Sequence, residues 1–86
     1  MSANKTIHMY IQVYNLSLNI EDRDLRKLFA PFGIVASAEV DRDKLNGRSK
    51  CNGMIEMPIE REGLLAIVSL HQTFLDGKKI SVVNRM

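Results

Sequence analysis

The order of apolar patterns along the chain constrains its fold more than any other feature. Apolar and polar side chains alternate with a period of two from Met9 to Leu16, which is typical of a half-buried strand. From about Ile20 to Phe32, apolar residues recur at spacings of three and four, which predicts an amphipathic helix. We expect Asn19 to cap this helix at its start and Pro31-Phe32-Gly33 to end it.

The rest of the chain supplies three further strands and a second helix. These elements are predicted at Val35 to Val40, Lys50 to Met57, Glu60 to His71 and Lys79 to Asn84. Turn signals at Asn46-Gly47 and Asp76-Gly77 separate them. The resulting order predicts an α+β fold, the ferredoxin-like βαββαβ sandwich, with a four-stranded antiparallel sheet and both helices on one face. Enzymes, metal carriers and RNA binders share that topology, so the fold alone does not give the function.

The length and composition are those of one small globular domain. The chain has 86 residues, of which 45% are apolar and 26% charged, enough for one hydrophobic core. Within this single domain, residues 1–86, we expect a folded core at residues 7–84 and a disordered tail at residues 1–5. We expect neither a membrane-spanning helix nor a leader peptide. On that ground we expect a cytoplasmic protein with no membrane partner, and the single Cys51 fits a reducing compartment.

The charge of the chain does not decide its partner. The net charge is +2 and the pI is about 8.9, and affinity for nucleic acid depends more on where basic residues fall than on their sum. Many of the basic residues lie in two segments. The first contains Arg42, Lys44, Arg48 and Lys50, together with Asp41 and Asp43. The second contains Lys78, Lys79 and Arg85, together with Asp76. An ordinary solvated surface is an equally good interpretation of these segments.

Two short motifs carry a resemblance to a known family. The octamer KCNGMIEM, Lys50 to Met57, keeps the frame of a third-strand motif that begins with a basic residue and normally holds three aromatic residues. The hexamer IQVYNL, Ile11 to Leu16, matches the first-strand motif of the same family. Other family segments fall at the usual spacing, namely Asn15 to Ser17, Asp24 to Phe29, Phe32-Gly33, Asn46 to Lys50 and Leu75 to Ile80. Over residues 7–83 the chain therefore resembles the RNA-recognition-motif family.

The resemblance implies that single-stranded RNA binds on the open face of the sheet. The family stacks two or three bases on aromatic rings, and the three ring positions hold Gln12, Asn52 and Met54 in this chain. Because their neighbours must face the helices, alternation places all three on the open face. Gln and Asn can hydrogen-bond base edges, and Met offers a soft apolar contact. The resemblance thus implies a modified RNA-binding platform.

Two tyrosines could supply substitute rings for this platform. Tyr10 and Tyr14 flank Gln12 on the same predicted face, each displaced along the strand by about 7 Å. The alternative is that a strand favours tyrosine and needs no ligand to explain it.

Charged side chains on the predicted open face act in opposite directions. Lys50 keeps the basic residue of the family motif and could hold a phosphate, and we include Arg48 with it as a candidate RNA contact. Glu39 and Glu56 are expected on the same face, where their carboxylates would repel phosphate.

The second predicted helix is apolar almost all round. In the family pattern its sheet-facing residues are Gly63, Ala66, Ile67 and Leu70, and its outward residues are Leu64, Leu65 and Val68, which Phe74 extends. A contiguous apolar patch on the surface of a small domain is more often an interface than a patch without a function. The alternative function is therefore a protein-interaction or homodimerisation module that uses this helix. A slightly rotated helix above a larger core is the other interpretation.

The reactive side chains give no support to an enzyme. Cys51 points inward by alternation and is expected to be a buried, inert thiol. His8 and His71 have no cysteine or carboxylate at ligand spacing, and no nucleophile and base are paired. We therefore predict no catalytic residue, metal, cofactor or small-molecule substrate, and we take RNA binding as the leading function.

Overall fold

The structure, a computed structural model, describes residues 8–85, so the tail expected over residues 1–5 lies outside the described residues. Within that range the chain forms six strands, two α-helices and a 3₁₀ turn at Ala30–Phe32. The bounds are β1 Met9–Tyr14, α1 Asp22–Phe29, β2 Ser37–Arg42, β3 Ser49–Met57, α2 Glu60–Leu70, β4 Phe74–Leu75, β5 Lys78–Lys79 and β6 Ser81–Arg85.

The main sheet has four antiparallel strands in the order β2-β3-β1-β6. Its central strands are β1 and β3, which carry the two motifs found in the sequence. The core residues contributed by the two helices pack with the sheet in one hydrophobic cluster. The predicted ferredoxin-like sandwich is confirmed, and the opposite face of the sheet is left uncovered.

The core lies between the sheet and the helices, as the periodicities predict. Leu25 and Phe29 of α1 are fully buried, and Gly63 and Ala66 of α2 are buried as well. Gly63 allows α2 to approach β1 closely, because a Cβ at this position would lie 2.5 Å from the sulfur of Met9. The predicted sheet-facing side of α2 is therefore correct.

The start of α1 differs from the prediction. Its N-cap is Glu21, whose backbone N–H donates to the Asp24 carboxylate at 2.8 Å. Asn19 does not cap the helix because its side-chain amide donates to Asp76 at 3.2 Å. The predicted cap was wrong because Asp76, more than fifty residues later in the chain, lies within reach of that amide.

A small hairpin was missed in the sequence. Strands β4 and β5 pair through Phe74 with Lys79 and Leu75 with Lys78. The turn between them has positive φ angles at Asp76 (52°) and Gly77 (81°), as a two-residue type I′ turn requires. Strand β6 consequently begins two residues later than predicted, since Lys79 belongs to this hairpin.

Other predicted boundaries move by a few residues. Strand β2 begins at Ser37 rather than Val35, whose carbonyl instead accepts a hydrogen bond from Arg26 Nη1 at 2.8 Å. Helix α2 ends at Leu70 rather than His71, because His71 turns to extended backbone and its Nδ1 accepts the backbone N–H of Val82 at 3.0 Å.

Candidate nucleic-acid interface

The side of the main sheet away from the helices, here called the open face, is built from three cross-strand rows. Directly paired residues of antiparallel strands project to the same side, so the register defines this surface. The rows are Glu56-Tyr10-Arg85, Met54-Gln12-Val83 and Asn52-Tyr14-Ser81, with Glu39 beside Met54 on β2. The structure therefore brings together the predicted platform residues of β1 and β3.

The two tyrosines lie at opposite ends of the open face. Tyr10 and Tyr14 are each 45% exposed, which leaves a large part of both rings accessible. Four residues of strand separate their Cα atoms by roughly 13 Å. The rings are therefore two separate stacking surfaces rather than one continuous platform.

The centre of the open face, at Gln12, is not accessible to a ligand. Gln12 is only 7% exposed, and its Nε2 donates to the backbone carbonyl of Gly53 at 3.2 Å. Met54 and Val83 lie directly on either side of it. Gln12 thus lies on the predicted face, but its side-chain amide is already hydrogen-bonded to the backbone of β3.

Arg85 is part of the open face and was missed in the sequence. It pairs with Tyr10, and its Nη1 lies 3.8 Å from the sulfur of Met54. The signal that could have identified it is alternation along β6, since Ser81, Val83 and Arg85 share one side of that strand. Arg85 adds an exposed positive charge to the row that contains Glu56.

The start of β3 departs from regular pairing. Val40 pairs with Gly53 but Arg42 pairs with Ser49, so β3 carries a bulge between these points. Cys51 lies in the bulge with φ at 66°, a conformation that favours glycine, and glycine is the residue of the family motif at this position. The bulge breaks simple alternation. Cys51 is consequently half-buried, and the prediction of a buried thiol was wrong.

Basic side chains concentrate at the end of the open face that holds Tyr14, here called the basic end. The β2–β3 hairpin contributes four exposed basic residues, Arg42, Lys44, Arg48 and Lys50. The β4–β5 hairpin adds Lys78 and Lys79, and Asn15 Nδ2 fixes it beside Tyr14 by donating to the Lys79 carbonyl at 2.9 Å. The predicted contacts Arg48 and Lys50 both lie at this end.

One acidic group at the basic end, Asp43, is engaged in local hydrogen bonds. One carboxylate oxygen of Asp43 accepts the backbone N–H groups of Leu45 and Asn46, at 2.8 and 3.2 Å. At the other end of the open face, the carboxylate of Glu56 contacts the ring of His8. Glu39 is exposed near the middle. The charge of the open face is therefore uneven, with most of the positive charge around Tyr14.

The outward residues of α2 remain in solvent. Leu64 is 45% exposed, Leu65 55%, Val68 79% and Phe74 71%. Since none of them joins the core, the interpretation of a rotated helix above a larger core is wrong. The four side chains, here called the α2 surface, are therefore exposed as predicted.

Among residues 8–85, no cluster of three histidine, cysteine or acidic side chains has the arrangement that a metal ion needs. None of the helices formed by these residues has the length and apolar character required to cross a membrane.

Comparison with known proteins gives a consistent result. The family model described as RNA recognition motif matches residues 11–81. The RNA-binding protein BRN2 of Arabidopsis thaliana is 40% identical over 70 residues, which are 81% of this chain and 16% of that protein. A 31 kDa chloroplastic ribonucleoprotein of Nicotiana sylvestris is 40% identical over 72 residues, 84% of this chain and 23% of that one. The chain thus spans less than a quarter of these curated relatives.

Solved structures agree with the sequence relatives. The RNA binding protein PG1 has a TM-score of 0.88 and 35% identity, covering 91% of this chain and 94% of that one. The Sxl-lethal protein in its complex with RNA has a TM-score of 0.80 and 28% identity, covering 86% of this chain and 46% of that one.

Proposed function

Because the chain belongs to the RNA-recognition-motif family, we propose that it binds single-stranded RNA on the open face of its sheet. The observation that carries the proposal is the position of two half-exposed tyrosines on that face with basic side chains around one of them. The names of its relatives, RNA-binding proteins and ribonucleoproteins, support the same function.

Single-stranded RNA suits the geometry of the open face better than a duplex. The bases of a single strand can splay out and stack on separate rings, whereas the bases of a duplex are stacked on one another. Tyr10 and Tyr14 offer two such rings with a covered region between them. Each stacked base contributes about 1–3 kcal/mol, which compensates in part for the rings missing at positions 12, 52 and 54.

The phosphate backbone is expected to bind at the basic end. Lys50 precedes the Asn52-Tyr14 row by two residues, and Arg48 lies in the adjoining hairpin. Phosphate neutralisation by such side chains supplies most of the sequence-independent affinity for nucleic acid. Glu39 and Glu56 disfavour phosphate close to their carboxylates, whereas Arg85 places a positive charge in the row of Tyr10.

Titration with random-sequence single-stranded RNA at two salt concentrations tests this function. Affinity should fall as salt rises, with a slope in log-log coordinates of about −0.7 for each phosphate contact. Lys50→Gln should reduce that slope by about one contact, whereas Lys27→Gln on α1, a change of the same charge away from the open face, should leave it unaltered. Absence of binding at both salt concentrations would contradict the proposal.

A second candidate function is protein interaction through the α2 surface. The observation that favours it is the exposure of Leu64, Leu65, Val68 and Phe74, since apolar patches of this kind mark contact surfaces on small domains. The partner is either a second copy of the chain or another protein. This function is compatible with RNA binding because α2 lies on the opposite side of the sheet.

A further inference from the structure

A cleft lies beyond the basic end, where β1 leaves the sheet. It is wide open to solvent and has a volume of about 560 Å³. The loop after β1 forms one wall with Leu18, the β3 bulge contributes Cys51, and the β4–β5 hairpin contributes Asp76 and Lys78. Among these side chains, Lys78 also belongs to the basic end described above, and the other three are additional to it.

The cleft adjoins the basic end through β3 and the loop after β1. Its residue Cys51 lies between Lys50 and Asn52 of β3. The carbonyl of Cys51 accepts the backbone N–H of Leu16 at 2.8 Å, which joins the bulge to the loop that follows Tyr14. An RNA strand that stacks one base on Tyr14 can therefore place its neighbouring nucleotide in the cleft.

Asp76 gives the cleft a fixed hydrogen-bond acceptor. Its Oδ2 accepts Ser17 Oγ at 2.6 Å and Asn19 Nδ2 at 3.2 Å, and these two bonds hold the pKa of the carboxyl below its ordinary value. Its Oδ1 accepts no hydrogen bond from the described residues. An ionised carboxylate only accepts hydrogen bonds and repels phosphate, so the group that approaches it must present donors.

The other walls suit the remaining parts of a nucleotide. Leu18 is 63% exposed and offers an apolar surface to the face of a base. Lys78 is exposed at the rim, where its ammonium can meet the sugar-phosphate side. The cleft therefore suits a nucleotide whose base rests on Leu18 and points its hydrogen-bond donors towards Asp76, with its phosphate near Lys78.

We propose that this cleft binds a single guanine base of an RNA strand whose neighbouring base stacks on Tyr14, with Asp76 as the residue that selects the base. The inference rests on the proposed RNA binding. Guanine presents an imino and an amino donor side by side, and both can donate to Oδ1, because Ser17 and Asn19 occupy Oδ2. On the same edge adenine and cytosine present one amino group, and uracil presents one imino group. Asp76 therefore determines specificity while the open face supplies general affinity.

Short labelled RNAs test the proposal. The probes are a seven-nucleotide oligouridine and two versions of it that carry one guanine, at the 5′ or the 3′ end. The parent protein should bind one guanine-bearing probe roughly tenfold more tightly than oligouridine, the effect of a good base-edge contact. Asp76→Asn should remove this preference, and asparagine is compatible with the positive φ of position 76.

Asp43→Asn is the matched control, because it removes one negative charge at the same end of the sheet but outside the cleft. It should keep the guanine preference. As a second readout, backbone amide NMR signals of Leu18 and Lys78 should shift more with the preferred guanine probe than with oligouridine.

The outcomes separate the two proposals. If oligouridine binds but neither guanine probe binds more tightly, or if Asp76→Asn keeps the preference, the cleft proposal is wrong and RNA binding stands. If none of the three probes binds, both proposals are wrong.

Discussion

Gln12 donates its side-chain amide to the carbonyl of Gly53 at 3.2 Å, in the middle of the surface that the family uses for stacking. A base placed above this position would meet an amide that is 7% exposed and already hydrogen-bonded. The two accessible rings, Tyr10 and Tyr14, lie on either side of Gln12. We therefore expect bases to stack at the two tyrosines and not between them.

Replacing either tyrosine should weaken RNA binding without unfolding the domain. Tyr14→Ala and Tyr10→Ala should each cost about 1–3 kcal/mol of binding free energy, the value of one stacked base. The two effects should add, because residues this far apart seldom interact. Fluorescence anisotropy measures the affinities, and Tyr→Phe at each position, which keeps the ring, is the control. Unchanged affinity in both alanine variants would contradict the tyrosine platform.

Restoring the family rings should strengthen binding. Asn52→Phe combined with Met54→Phe would place two aromatic rings on the half-exposed positions of β3, and each ring should contribute about 1–3 kcal/mol if a base reaches it. Circular dichroism establishes whether the double variant is folded. A folded variant that binds no more tightly than the parent would mean that RNA does not reach the middle of the open face.

A charge on the α2 surface should separate protein copies if this surface joins them. The protein should then be at least a dimer at micromolar concentration, and Leu65→Asp should make it monomeric because a buried carboxylate is costly. Leu65 is 55% exposed, so the fold should lose only a few tenths of a kcal/mol.

Light scattering gives the mass in that experiment. Leu45→Asp makes the same chemical change on a side chain that is 96% exposed in the β2–β3 hairpin, and it should leave the mass unaltered. A monomeric parent would exclude the homodimer, and unfolding of Leu65→Asp would assign Leu65 to the core.

Glycine at position 51 should stabilise the domain. Cys51 adopts φ of 66°, which costs a residue with a side chain about 1–2 kcal/mol, while glycine adds roughly 0.5–1 kcal/mol of chain entropy to the unfolded state. Cys51→Gly should therefore raise the free energy of unfolding by up to about 1 kcal/mol. Urea unfolding measures the change, and Cys51→Ala, which removes the thiol but keeps Cβ, should give no such gain.

The stability of the domain should depend on Asp76 in a defined pH direction. Hydrogen bonds from Ser17 and Asn19 lower the pKa of Asp76 in the folded state, so the unfolded state binds its proton more readily. The stabilisation is fully present above the unfolded-state pKa and is lost as the pH falls through the folded-state pKa. The stability difference between the parent and Asp76→Asn should therefore shrink towards acidic pH. A difference that stays constant from neutral to strongly acidic pH would contradict this assignment.

Local periodicity was sufficient to predict the fold. The alternation of β1 and β3 and the spacing of α1 reflect burial on one side of each element, and that information lies within a few consecutive residues. The outward direction of Leu65 and Val68 was predicted from the family pattern, because α2 is apolar almost all round. These features needed no knowledge of distant contacts.

Two of the errors in the sequence prediction depend on distant neighbours. Gln12 is covered because Met54 and Val83 flank it from two other strands, and no local pattern contains that information. Asn19 was predicted to cap a helix, but it bonds to Asp76 in a hairpin whose strands are too short to detect. The cytoplasmic location stays a prediction.

The absent side chain of Gly63 has a consequence outside the core. The backbone of α2 packs against the Met9 sulfur at a distance that no Cβ could tolerate without movement. A side chain at position 63 would therefore require the Met9 side chain or α2 itself to move. If the helix moved, Leu64 and Leu65 would move with it, so a substitution on the buried side of α2 would displace the α2 surface without changing any residue on it.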